Sequence, residues 1–314
     1  MKAATAVLFA YHNVGVRGLA LLLAQGVHVP LVVTHGDDPN ENQWFDSVAD
    51  LAALEGIPVI MPDNPNDSLV VEQVRGCRPD FIFSFYYRHM LGLELLAIPA
   101  RGAYNLHGSL LPKYRGRVPI NWAVYHGEAQ TGVSLHAMVQ KPDAGALLAQ
   151  EAVAILPNDT AHQVFQKVVC AGERLLLGVL PALLAGTAVA TPLDLSQGSY
   201  FGRRRPEDGR IDWRSSAWQI HNLIRAVAPP YPGAFFVLAG SRVEVLLSHF
   251  RAEPARFHAA SWPCIYWEEG GGCYVDCLDG QRLQLRRLTR DGLVLDRAAF
   301  CQWLGDAPYT LNFS

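Results

Sequence analysis

The chain has no CxxC pair, no low-complexity tract and no internal repeat, and no apolar run is read as long enough to span a membrane. Each absence closes off a class of function. Six cysteines (Cys77, Cys170, Cys264, Cys273, Cys277, Cys301) are scattered without histidines at finger spacing, so they read as reduced thiols of a cytoplasmic protein rather than as a zinc or disulfide framework. No metal site is expected. Without roughly 20 consecutive apolar residues, membrane insertion is not expected. The start, "MKAATAVLFAYHN", lacks an A-x-A cleavage pattern and reads as a first buried strand. Charge is sparse, at 18% of residues, with a formal net of −3 and a pI near 6.4. No global positive field draws in a polyanion, so nucleic acid is not an expected partner. Gly15 and Gly18 in "NVGVRGLALL" fall short of a full G-x-G-x-x-G; a tight strand-to-helix turn is their expected use, and NAD binding is not expected.

What is present is an alternation of apolar strands and amphipathic helices. "AATAVLFA" reads as a strand, "GVRGLALLLAQG" as a helix closed by Gly26, and "HVPLVVT" as the next strand. "NENQWFDSVADLAALEG" reads as a helix ending at Gly56, and "DSLVVEQVRG" with "DFIFSFYY" repeats the unit. The fold class expected is α/β, a Rossmann-like and mostly parallel sheet. Asp159 is the expected cap of the long helix that contains Pro181. The polar, Arg-rich "TPLDLSQGSYFGRRRPEDGR" then leads to short strands separated by turns, read as a smaller C-terminal β-barrel of OB-like type. The expected domains are 1–200 and 201–314.

One stretch departs from ordinary packing logic. "GAYNLHGSLLPKYRG" ends a strand on Asn105 and His107, which at i and i+2 share a face, ahead of a basic loop. An amide donor can stabilise an oxyanion, and an imidazole beside it can move a proton, the two tasks of acyl transfer. A carboxylate is needed to hold the ring. Spacing leaves Asp143, Asp80 and Glu128 open, with Asp143 favoured because a turn at the sheet's carboxyl edge can fold back over the site.

"NLHGSLLPKYRGRVPINWAV" followed by "TGVSLHAMVQKPDAGALLAQ" resembles the core of the folate-dependent formyltransferases. "FIFSFYYRHM", "YFGRRRPEDG" and "IRAVAPPYPGAF" are similar to the branch acting on UDP-4-amino-4-deoxy-L-arabinose, and the likeness covers residues 1 to about 240. The resemblance implies 10-formyltetrahydrofolate as co-substrate and a nucleotide-linked amino sugar as acceptor, in lipid A modification and polymyxin resistance. It implies His107 as proton donor, Asn105 as stabiliser of the oxyanion, and Asp143 as the carboxylate that raises the histidine's pKa. It also implies a formyl-folate pocket lined by His89, Met90, Leu91, Arg117 and the run Val139, Gln140, Lys141, Pro142 and Asp143. The acidic "THGDDPNENQWFDS", with Asp37, Asp38, Glu41 and Asp46, stands where the methionyl-tRNA branch carries a basic insertion, which argues against tRNA. Arg203 and Arg204 are candidates for a diphosphate, with a solvated charge run as the alternative. Methionyl-tRNA formylation and a non-enzymatic folate- or nucleotide-binding module remain as other readings, and a homo-oligomer is left open.

Overall fold

The computed structural model of the chain describes residues 3–37, 42–257, 262–268 and 270–311. Asp38 and Glu41 of the acidic stretch therefore lie outside the described residues. The chain divides into two compact units, one of Met1–Pro119, Thr131–Val153 and Gln166–Gly202, the other of Ile120–Gln130, Ala154–Phe165 and Arg203–Ser314.

In the first unit, β1 (Thr5–Ala10), α1 (His12–Ala24), β2 (His28–Val33), α2 (Val48–Leu54), β3 (Val59–Ile60), α3 (Ser68–Gly76), β4 (Phe81–Phe85), α4 (Leu93–Leu96) and β5 (Ala103–His107) alternate as the apolar runs require. They are followed in the chain by β6 (Arg115–Gly116), α5 (Pro119–Tyr125), β7 (Gln130–Ala137), β8 (Leu147–Ala154), α6 (Ala161–Ala185) and β9 (Tyr200–Phe201). The main sheet has the order β3-β2-β1-β4-β5-β7-β8. β1 to β5 pair in parallel, whereas β7 runs antiparallel to β5. Both faces are covered, which is why the strands read as nearly continuous apolar runs. On one face Val7, Phe9, Leu31, Val33 and Ile82 pack with Val70, Val71 and Val74 of α3 and Leu95 of α4.

On the other face α1 lies so close that a Cβ at Gly18 would overlap the Phe85 ring, and one at Gly15 would crowd Ala10 and Val48. These glycines sit inside the helix and permit its close approach to the sheet, instead of forming the expected turn. α2 is shorter than its sequence pattern suggests because Ser47 caps it, its Oγ accepting the Asp50 N–H. The reading that no run reaches spanning length is corrected for α6, which has 25 residues and a stretch of mean hydropathy 1.8. Its Val168, Ala171, Leu175, Leu176, Leu180 and Leu183 are buried at helical spacing, while Glu173 and Arg174 pair with Arg17 and Glu151. That pattern belongs to a helix covering a core. Thr160, not Asp159, caps it, exchanging bonds with Gln163.

The second unit holds α7 (Ala217–Val227), β10 (Ala234–Leu238), β11 (Ser241–His249), β12 (Cys264–Trp267), β13 (Cys273–Asp276), β14 (Arg282–Arg290), β15 (Leu293–Val294), α8 (Arg297–Leu304) and β16 (Tyr309–Thr310). A curled antiparallel sheet, β10-β11-β14-β13-β12-β16, packs Phe236, Val243, Val245, Val275 and Leu285 against Ile220 and Ile224 of α7. Three charged or polar side chains of α7 are also buried there. His221 bonds Ser248 and the Pro157 carbonyl, and Arg225 donates to Asn222 and the Asp159 carbonyl, so each has partners.

Candidate active site

The site begins with the register of β5. Leu106 is buried under Gly172 of α6, leaving Asn105 and His107 to share the opposite face. Across the antiparallel ladder Asn105 lies directly opposite His136, and His107 opposite Ser134. Directly opposed side chains meet, so β7 supplies a second row of polar groups.

Asp143 arrives from the segment after β7. Because β7 is antiparallel, it ends beside the amino end of β5, where Met138 N–H donates to the Ala103 carbonyl. The turn expected at the carboxyl edge therefore departs from the other edge, and Asp143 reaches the site across the sheet face. It does so with left-handed backbone, φ 49°, a conformation that Asp tolerates better than most residues. Asp143 Oδ2 accepts the Gly116 N–H at 2.9 Å. Asp143 Oδ1 lies 3.4 Å from Asn105 Nδ2, 3.5 Å from His107 Nδ1 and 3.5 Å from His136 Nε2. Three side-chain nitrogens thus surround the space of one oxygen atom.

Electrostatics follow from this burial. His107 is 7% exposed, and its Nε2 stands 2.8 Å from the Tyr114 carbonyl, which can only accept. Nε2 therefore carries the proton, and the neutral ring turns a bare Nδ1 toward Asp143. Burial pushes the His107 pKa below its ordinary value, overcoming the upward pull of Asp143 and of the Tyr114 carbonyl, with His136 adding to the fall. Burial also works to raise Asp143, but His107, contacts with His136 and the Gly116 N–H outweigh it and hold that carboxyl at about 2. At neutral pH the pair is a carboxylate beside an uncharged imidazole.

The loop after β5 is fixed by β7 and by the strand pair β6–β9. Ser134 is fully buried; its hydroxyl donates to the Ser109 carbonyl at 2.6 Å and accepts from Leu111 N at 3.1 Å and Gln150 Nε2 at 2.9 Å. That uses its full hydrogen-bonding capacity. Gln150 also donates to the Leu111 carbonyl at 2.7 Å. Gly116, at φ 96°, passes the Phe201 carbonyl so closely that no Cβ fits. His136, Ser134 and Gln150 are absent from the sequence-derived site. The signal available was the S-x-H alternation of "TGVSLHAMV", facing N-x-H on a neighbouring strand.

The remaining expected residues fall as follows. Asp80 accepts the Thr5 N–H before β4 starts, at the amino end of the sheet, and Glu128 belongs to the second unit. His89 and Met90 are exposed, while Leu91 packs on the same core cluster as Met138, bringing the bases of two loops together. Val139, Gln140 and Lys141 are exposed, Pro142 is half-buried, and Arg117 is exposed with its N–H on the Phe201 carbonyl. Arg203 is exposed. Arg204 is half-buried, 4.7 Å from the ring centres of both Trp122 and Tyr125, and donates to the Asp208 carbonyl. Among the described residues no group of His, Cys, Asp or Glu is arranged to hold a metal ion.

Comparison with known proteins identifies the family and the fold. Residues 20–180 match the formyl transferase family model, and residues 204–302 match the formyl transferase C-terminal domain model. Among solved structures, an N-formyltransferase from Helicobacter canadensis, in complex with folinic acid and dTDP-3-aminofucose, superposes with a TM-score of 0.72 at 20% identity, covering 90% of this chain and 99% of that one. The sugar 3N-formyl transferase WlaRD, solved in the presence of dTDP and 5-N-formyl-THF, gives a TM-score of 0.70 at 18% identity over 93% of this chain and 99% of that chain. HypX from Aquifex aeolicus, in complex with tetrahydrofolic acid, gives 0.63 at 16% identity over 94% of this chain and 46% of the other. These likenesses establish the shared fold. With the first family model alone spanning more than half of its 314 residues, the chain belongs to the formyl transferase family.

Proposed function

We propose that the protein transfers the formyl group of 10-formyltetrahydrofolate to the amine of a nucleotide-linked amino sugar. The observation that carries this reading is the convergence of Asn105, His107 and His136 nitrogens on the Asp143 Oδ1 position. An amide donor, Asn105, beside a neutral imidazole that can take up a proton, His107, and a carboxylate that stabilises the resulting imidazolium, Asp143, suits a tetrahedral intermediate whose oxygen carries the negative charge. Asn105 donates to that oxygen as the sugar amine attacks the formyl carbon. The new C–N bond leaves an ammonium nitrogen; neutral His107 takes its proton and delivers it to N10 as the C–N10 bond breaks. The transient imidazolium is stabilised by Asp143 on one side and by the Tyr114 carbonyl on the other. His107 is then neutral again, and no metal takes part in these steps.

Two structural neighbours, an N-formyltransferase in complex with dTDP-3-aminofucose and a sugar 3N-formyl transferase solved with dTDP, support the acceptor class. UDP-4-amino-4-deoxy-L-arabinose is the acceptor favoured by the sequence resemblance, with lipid A modification as its setting. Six free thiols suit the reducing cytoplasm. The test is a mass-spectrometric assay of purified protein with 10-formyltetrahydrofolate, offered UDP-4-amino-4-deoxy-L-arabinose, dTDP-3-aminofucose and initiator methionyl-tRNA in parallel. A formylated sugar is the expected product; formylation of the tRNA alone would overturn the acceptor class.

A further inference from the structure

We propose that His136 is a positioning residue that fixes which end of the Asn105 amide faces the developing oxyanion. The inference rests on the reading of Asn105 as an oxyanion donor. An asparagine amide presents either two N–H groups or a carbonyl, and only the first can stabilise an oxyanion. Something must choose between the two.

The choice follows from a chain of committed hydrogen bonds. His136 is 1% exposed, and its Nδ1 lies 2.9 Å from the Ala137 carbonyl, an acceptor, so Nδ1 bears the hydrogen. In the neutral ring Nε2 is then bare and accepts only. It stands 3.2 Å from Asn105 Nδ2, which must donate one of its two hydrogens to it. The second hydrogen of the same nitrogen points toward Asp143 Oδ1 at 3.4 Å, a long contact, so this is the hydrogen that an oxyanion formed beside the carboxylate and His107 can share. A flipped amide would set its one carbonyl oxygen against both the bare Nε2 and the Asp143 carboxylate. Both contacts would be repulsive, so the backbone carbonyl of Ala137 dictates, through His136, the donor end of Asn105. The direct cross-strand pairing of Asn105 with His136 makes this geometry a property of sheet register.

The test is a double-mutant cycle with 10-formyltetrahydrofolate and UDP-4-amino-4-deoxy-L-arabinose, joined to a readout that needs no turnover. His136→Leu removes the acceptor and keeps an apolar fill, with His136→Met as the substitute should the first fail to accumulate. His136→Gln retains an acceptor oxygen close to the Nε2 position. The expected result is that His136→Leu lowers kcat about 100-fold with both KM values little changed, as misplacement of a reacting group does. His136→Gln recovers most of that loss. In an Asn105→Ala background His136→Leu costs nothing further, since there is no amide left to orient. The side-chain amide NMR signal of Asn105, identified by its disappearance in Asn105→Ala, should keep its slow hydrogen exchange in His136→Gln and lose it in His136→Leu. An equal loss of kcat in both backgrounds, or unchanged amide exchange in His136→Leu, would overturn the positioning role. A near-wild-type Asn105→Ala would instead overturn the donor reading beneath it.

Discussion

The most demanding test of the proposed chemistry is Asp143→Asn, because it keeps the shape of the side chain and removes its charge. In the transition from neutral to protonated His107, the carboxylate at 3.5 Å gains a full opposite charge. Two unit charges at that separation interact by about 5 kcal/mol at an effective dielectric near 20. Asparagine keeps a dipole and can still accept the Gly116 N–H, so part of this survives. A loss of about 3–4 kcal/mol from transition-state stabilisation is expected, or roughly 10²–10³ in kcat. The assay is steady-state formylation followed by mass spectrometry, with kcat and KM separated for donor and acceptor.

The pH profile gives the same substitution a second reading. His107 lies below its ordinary value of 6.5, so the acid limb it sets falls below pH 6.5 in the wild type. Asp143 pulls that value upward, and its removal leaves burial less opposed. The acid limb of the residual activity therefore moves to lower pH in Asp143→Asn. Turnover close to wild type, or an acid limb that moves upward, would refute the pairing as the source of catalysis.

Three further outcomes are expected. His221, fully buried, is held at about 4 by burial, against the Pro157 carbonyl and with Arg225 adding to the fall. Its neutral form favours the folded state above pH 6.5, and up to about 3 kcal/mol is lost as pH falls toward that lower value; chemical unfolding near pH 7 and near pH 4 should show this slope, and His221→Gln should abolish it. Gly116→Ala forces a side chain into left-handed backbone against the Phe201 carbonyl, so melting should reveal a loss of roughly 1–3 kcal/mol alongside reduced kcat; unchanged values of both would mean the loop adapts freely. Arg204→Ala removes two ring contacts and should destabilise the protein by about 1–2 kcal/mol with acceptor KM unaltered; a raised KM at unchanged stability would make Arg204 a substrate contact instead.

The parallel part of the sheet was legible because each strand is a short apolar run bounded by turn residues, a pattern that burial on both faces imposes. Asn105 and His107 were legible together because strand periodicity places i and i+2 on one face. His136 was not, although it lies opposite Asn105. The two are separated by 31 positions, and antiparallel register is set by long-range packing that no local window contains. The route of Asp143 was hidden for the same reason: without the direction of β7, the turn after it could be assigned to either edge. Gly15 and Gly18 were read as a turn since local rules describe glycine's backbone freedom. Their use here is the absence of a Cβ facing another element, which only the packed structure exposes.

The reversal of β7 is what turns an ordinary sheet edge into a reaction site. A parallel neighbour would give β5 another carboxyl end and another loop, with its polar groups on mobile connections. The antiparallel neighbour instead sets His136 and Ser134 on rigid strand positions beside Asn105 and His107, and sends the following segment back across the face carrying Asp143. The groups around the Asp143 Oδ1 position are thus fixed by sheet register, which suits electrostatic stabilisation that must not reorganise during the reaction. None of them comes from the acidic stretch that holds Asp37 and Asp46 or is Arg203 or Arg204, the residues on which the charge arguments about the acceptor rest. On the proposed reading, formyl transfer and acceptor choice draw on separate parts of the sequence. An exchange of the acidic 34–47 stretch should alter which amine is formylated while leaving the acid limb set by His107 where it is.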